Sequence, residues 1–131
     1  MNGETPAFLT LEQVEEIHRI SLQRHSEQDG LRDRGAFESA VMQARNVWLY
    51  GHADLYEIAA AYAFHLAQSQ AFIDGNKRTG MGAALVVLEG NGSLIPEATV
   101  ELHGATIAIA ERRMGWNELA DLFRRLSGNT T

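Results

Sequence analysis

The chain is predicted to be all-α, a compact single-domain helical bundle carrying a short flap. Three observations point there: apolar residues recur at three- and four-residue spacing, clean alternating runs are scarce, and only two prolines interrupt the chain. Its 131 residues suit one domain, spanning 1–131; a chain of this length buries roughly two thirds of its unfolded surface. With no cysteine, disulfides and thiolate metal sites are excluded, and a cytoplasmic location is the default expectation. Met1 to Pro6 lacks the basic start and apolar core of a signal peptide, and no apolar run approaches the ~20 residues of a membrane span, so no membrane association is expected. A net charge of −6 argues against direct nucleic-acid binding, whose affinity comes mainly from neutralised phosphates. Any phosphate the protein holds must be held locally.

Thr10 and Gln13 form a capping box, and Leu11, Val14, His18 and Leu22 follow at helical spacing, predicting a first helix over Leu11 to His25. Asp29-Gly30 ends it, and Gly30 to Gly35 reads as a polar turn. Phe37, Ala40, Val41 and Ala44 predict a short second helix. Arg45 to Gly51 is bulky and β-prone between Asn46 and Gly51, so Val47, Trp48, Leu49 and Tyr50 read as a short extended flap; on composition alone a packed core strand fits as well. A long helix starts near Asp54 and carries Leu55, Ile58, Ala59, Tyr62 and Leu66 on one face toward Gln70. Asp74-Gly75-Asn76 breaks it, and Lys77 opens another helix that Gly90-Asn91-Gly92 stops. A further helix is expected from Pro96 and Glu97 through Met114. A last one follows, with Asn117 as its N-cap and Leu119, Leu122, Phe123 and Leu126 buried.

The chemistry concentrates between the third and fourth of these helices, in Gln70-Ala71-Phe72-Ile73-Asp74-Gly75-Asn76-Lys77-Arg78. Lys77 is the only lysine among the 11 basic residues. A turn of small residues leading into a helix exposes backbone N–H groups that have no partner within the helix, and the helix dipole adds partial positive charge there. Gly75 allows an anion to approach closely. Lys77 and Arg78 in the first turn oppose the dipole unless an anion sits between them, so Gly75, Asn76, Lys77 and Arg78 are the candidate phosphate-binding residues. Asp74 beside them is the candidate ligand for a divalent metal bridging nucleotide phosphates, as Mg²⁺ does with one or two carboxylates. Phe72, apolar among polar neighbours, reads as a core anchor. Taken singly these residues are unremarkable, since D-G-N is a common turn and K-R a common solvated helix start.

Other motifs fit less well. The phosphate loop G-x-x-x-x-G-K-(S/T) fails at Asn76 and lacks its upstream glycine, and the five histidines make no H-E-x-x-H, so they read as isolated core or surface residues. His65 cannot stand in at position 70, because five helical positions separate the two by ~140° of rotation and ~7.5 Å of rise.

At every position but one the nine-residue segment resembles the motif H-x-F-x-(D/E)-(A/G)-N-(G/K)-R of the Fic/Doc family. The exception is the histidine, replaced by Gln70. Gly30-Leu31-Arg32-Asp33, the run from Tyr56 to Ala63, the Thr79-Gly80 step and the Gly90-Asn91-Gly92 stop extend the resemblance over most of the chain. Lys77 and Met81 stand where the AMP-transferring Fic branch carries a second glycine and a second arginine in G-N-G-R-x-x-R, which favours the Doc toxin branch. That resemblance implies a kinase that moves the γ-phosphate of ATP, with Mg²⁺, onto a threonine of elongation factor Tu and so stops translation. It makes Gln70 and Asp74 the catalytic positions, while the flap Val47 to Tyr50 and the neighbouring Arg45 are placed in sequence to position a target chain beside the motif. No inhibitory (S/T)-x-x-x-E-(G/N) motif occurs in the chain, so restraint is expected in trans, from an antitoxin. A neutral amide cannot accept a proton at physiological pH, so the general-base contribution of the histidine should be lost while phosphate and metal contacts stay. Two origins of Gln70 are open: a change that lets a toxic protein be produced, or a natural, catalytically inert module that binds nucleotide or antitoxin.

Overall fold

Thr10 opens the first helix as a capping box: its Oγ1 accepts from the Gln13 amide at 3.1 Å, and its own N–H donates to Gln13 Oε1 at 2.7 Å. From there, in the computed structural model, which describes residues 6–25, 30–51, 53–95 and 100–128, the elements are α1 (Leu11–His25), α2 (Arg34–Gly51), α3 (Leu55–Ser69), α4 (Asn76–Gly90), α5 (Val100–Ala110) and α6 (Trp116–Leu126). The fold is all-α. Among the described residues the nearest thing to a sheet is one isolated antiparallel bridge, between Leu31 and Phe72.

The third helix is the axis of the bundle, in contact with α2, α4, α5 and α6. Asp54 caps it, accepting from the Glu57 amide at 2.9 Å while Glu57 Oε1 accepts from the Asp54 amide at 2.8 Å. From Ile58 to Ala63 every residue is buried, four of the six being alanine, and Leu66 and Ala67 continue the burial. Small side chains all round let neighbouring helices approach closely. One such close approach is to α4, where a Cβ on Gly80 would lie 2.6 Å from the Ala63 carbonyl oxygen. Glycine is required there by space, and this contact brings the start of α4 back beside the end of α3.

Three expectations need correction. Arg45, Val47, Trp48, Leu49 and Tyr50 form no extended flap, because α2 runs unbroken through Gly51. The positions Phe37, Ala40, Val41 and Ala44 are buried, and Val47 and Trp48 continue the same period onto the core, with Trp48 edge-on to Phe8 at 6.0 Å. Packing on a helical face outweighs the β-preference of the bulky residues. The fifth helix is described from Val100 to Ala110; Pro96 and Glu97, expected to start it, lie outside the described residues, and Met114 falls beyond its end. The last helix is capped by Gly115 rather than Asn117, its N–H donating to Glu118 Oε1 at 2.8 Å. At the other end of the bundle Arg124 ties α6 to the cap of α3, donating from Nη2 to Asp54 Oδ2 at 2.8 Å.

His65, on α3, meets the ring of Phe64 edge-on at 5.4 Å, and burial holds its imidazole below the ordinary 6.5. Its folded-state pKa therefore lies below the unfolded one, so on acidification the unfolded chain takes up the proton first. Stability should fall as pH drops below about 6.5 and stop falling from this cause below the folded value. Urea unfolding at stepped pH should show that decline, and His65→Gln should flatten it. Equal slopes in the two proteins would remove His65 as its source.

Candidate functional site

Gln70 ends α3 as its C-cap in the left-handed region, with φ 55° and ψ 32°, and is exposed. For a residue with a Cβ this conformation costs about 1 kcal/mol. Histidine is among the side chains enriched there, so the position suits either residue. Ser69 turns the chain out of the helix, its Oγ donating to the Leu66 carbonyl at 2.9 Å and accepting from the Ala71 amide at 3.2 Å.

The segment before α2 then holds the loop from one side. The amides of Arg32 and Asp33 donate to the Ala71 carbonyl at 2.7 and 3.1 Å, and the Ile73 amide donates to the Gly30 carbonyl at 3.0 Å. Gly30 adopts φ 128°, a region that side chains disfavour. From the other side Asn76 closes the loop on itself: its Oδ1 accepts from the Phe72 amide at 2.9 Å and its Nδ2 donates to the Phe72 carbonyl at 3.0 Å. Phe72 is buried, as expected of an anchor, and lies edge-on to Phe37 at 5.3 Å.

Gly75, at φ 82°, is the N-cap of α4 and gives it no side-chain cap hydrogen bond. The first α-helical bond of α4 runs from the Thr79 amide to the Gly75 carbonyl at 2.9 Å, so the amides of 76–78 stand at the helix's open end. Lys77 and Arg78 are exposed in the same turn, while Asp74 is half-buried just before it. Both cations line a cleft of about 320 Å³ between α4 and α5, with Met81, Leu85, Leu102 and Ile107 as its apolar walls and His103 and Thr106 across from them. The lining is thus cationic at Lys77 and Arg78 and largely apolar elsewhere.

The structure thus brings residues 70 and 74–78 into one turn between two helices. The amide of Asn76 is used first to fix the loop, with one N–H and one lone pair left by its chemistry for a ligand. Arg45 lies on α2 over the Phe8 ring, 5.1 Å from its centroid, and lines a separate groove of about 440 Å³ with Leu9, Leu11, Val41, Met42 and Tyr62; no residue of 70–78 lines that groove. Among the described residues no group of three or more His, Cys, Asp or Glu could hold a metal ion. No described helix is long and apolar enough to cross a membrane.

One contributor escaped the sequence reading. His18 of α1 is 2% exposed, stacks on Phe72 with ring centroids 3.7 Å apart, and places Nε2 2.7 Å from the Asp74 carbonyl oxygen. Its signal was a polar ring on the otherwise apolar face of Leu11, Val14 and Leu22.

Comparison with known proteins places the turn within a family match. Residues 8–88, a stretch that includes the whole turn, match the model of the Fic/DOC family. The protein kinase doc of Escherichia phage P1 is 29% identical over 119 residues, an alignment covering 90% of this chain and 94% of the phage protein.

Proposed function

The chain belongs to the Fic/DOC family, and from that premise we propose that it is a Doc-type toxin of a toxin–antitoxin pair, built for phosphoryl transfer from ATP to a protein hydroxyl and impaired in that reaction by Gln70. The observation that carries the reading is the first turn of α4, which has no side-chain cap from Gly75, holds the exposed Lys77 and Arg78, and follows directly on Asp74 and, a few residues earlier, the exposed position 70. In this reading the α4 amides and the two cations hold the phosphates, and the α4–α5 cleft takes the nucleoside. Asp74 would hold Mg²⁺ together with the phosphates, and that ion when bound would neutralise charge on the phosphoryl oxygens.

The reaction joins the target oxygen to the γ-phosphorus and breaks the bond from that phosphorus to the β–γ bridging oxygen, releasing ADP. The proton of the target hydroxyl must go to a base. Gln70 sits where that base belongs, yet its amide can only orient the hydroxyl. A threonine of elongation factor Tu is the target the Doc reading proposes, with arrest of translation as the outcome. The inert-module reading is favoured by one observation, Gln70 itself, since every other element of the turn is in place.

Arg78→Ala is expected to weaken binding of ATP in the presence of Mg²⁺ at least tenfold, as loss of a charge-assisted hydrogen bond of about 1.5–3 kcal/mol requires. Titration calorimetry checks it. Unchanged affinity would place the nucleotide elsewhere.

Silencing by a partner is part of the same proposal. The α1–α2 groove combines the apolar Leu9, Leu11, Val41 and Met42 with Glu12, Glu38 and Arg45 at its edges, a lining suited to an amphipathic antitoxin segment that folds on binding. Saturating antitoxin peptide should raise the melting temperature, and Met42→Asp, at an exposed position, should abolish the rise. A rise that survives Met42→Asp would move the antitoxin to another face.

A further inference from the structure

We propose that His18 is a positioning residue of this site: from α1 it holds the peptide between Asp74 and Gly75, and thereby aims both the Asp74 carboxylate and the Gly75 amide at a metal-bound phosphate. The inference rests on the nucleotide reading above and adds to it a residue remote from the motif in sequence.

The geometry has three parts. A carbonyl oxygen only accepts hydrogen bonds, so the 2.7 Å contact requires Nε2 of His18 to carry the proton and donate it to the Asp74 carbonyl. The imidazole is itself immobilised, stacked at 3.7 Å and 14° on Phe72, whose backbone is held on both faces by Asn76 and by the segment 30–33. The donor therefore has a fixed origin.

The third part is the peptide itself. It is planar and trans, as are all the described peptides, so its carbonyl and its N–H point in opposite directions. With the Asp74 carbonyl drawn toward α1, the Gly75 amide must point away from α1. Gly75 at φ 82° is the hinge through which this plane sets the start of α4. A glycine there has wide conformational freedom, and the His18 contact selects one setting of it. The stacking and the hydrogen bond are separable, which makes the role testable.

His18→Phe keeps an aromatic ring on Phe72 and removes the donor; His18→Gln keeps an N–H donor and removes the ring. If His18 only fills space, Phe is the milder change in every measurement. If it positions the loop, the order inverts between measurements: Phe retains the higher melting temperature, while Gln retains the affinity for ATP with Mg²⁺ and Phe loses about tenfold or more of it. Amide hydrogen exchange without nucleotide supplies the second readout, with protection of the hydrogen-bonded Phe72, Ile73 and Thr79 amides around the turn falling in His18→Phe and kept in His18→Gln. Affinity and exchange that both rank as stability does would overturn the inference. Should the parent protein bind no ATP, the nucleotide reading fails, and the exchange data alone still decide whether His18 orders the turn.

Discussion

Gln70→His is expected to raise phosphoryl transfer by about 10²- to 10⁴-fold, the usual worth of a positioned general base, and to make expression of the protein arrest growth. The expectation follows from what the substitution leaves untouched. Position 70 is exposed at the C-cap of α3 in a left-handed conformation that histidine tolerates, so no core contact and no backbone setting has to change. Asp74, Gly75, Asn76, Lys77 and Arg78 are held by contacts that involve the 70 side chain in none of their described hydrogen bonds. The imidazole would bring the one capacity the amide lacks, acceptance of the hydroxyl proton. Radiolabelled ATP with candidate protein targets, assayed beside the parent chain, measures the gain. A revertant that folds, binds nucleotide and transfers nothing would leave the inert binding module as the better reading.

The second large effect concerns stability. Gly80→Ala should destabilise the fold by about 1–3 kcal/mol or more, since overpacking of a rigid contact carries that cost. The new methyl would meet the Ala63 carbonyl oxygen at 2.6 Å and its carbon atoms at 3.3 Å, all backbone of the central helix, so no side chain can swing aside. Relief requires α4 to move off α3, and α4 carries the turn proposed to hold the phosphates at its start. Nucleotide affinity should therefore drop together with the melting temperature, at roughly 4 °C per kcal/mol for a domain of this size. Gly104→Ala is the contrasting change. In the middle of α5, with nothing within 4 Å of the added carbon, it should stabilise by up to about 1 kcal/mol through helix propensity. Equal melting shifts of the same sign in the two variants would show that the α3–α4 contact is softer than its geometry requires.

The reach of the sequence differs from element to element. Where a cap and a periodic face coincide, as at Thr10 with Gln13 and at Asp54, the helix starts are where the residues place them, because caps act over three or four residues and need nothing distant. The break at Asp74-Gly75-Asn76 is equally local. By contrast Val47 to Tyr50 carry an intrinsic β-preference worth a few tenths of a kcal/mol each, which the burial of Val47 and Trp48 on the α2 face overrides. The cap of α6 was misplaced by two residues, because Glu118 reaching back to the Gly115 amide substitutes for the side-chain oxygen that Asn117 offered.

By itself, then, the sequence determined the all-α class, the position of the helix–turn–helix junction, and the run from Gln70 to Arg78 that carries the family motif with glutamine at the histidine position, since each of these is set by residues within a few positions of one another. Only the tertiary structure decided that the region from Arg45 to Tyr50 is helix, that Gly80 sets the distance between α3 and α4, that the cations open onto a cleft with α5, and that His18 reaches the Asp74 carbonyl from 56 residues away. The physical reason is common to all four. They depend on how helices distant along the chain pack against one another, and helix periodicity tells which face is buried without telling which partner buries it.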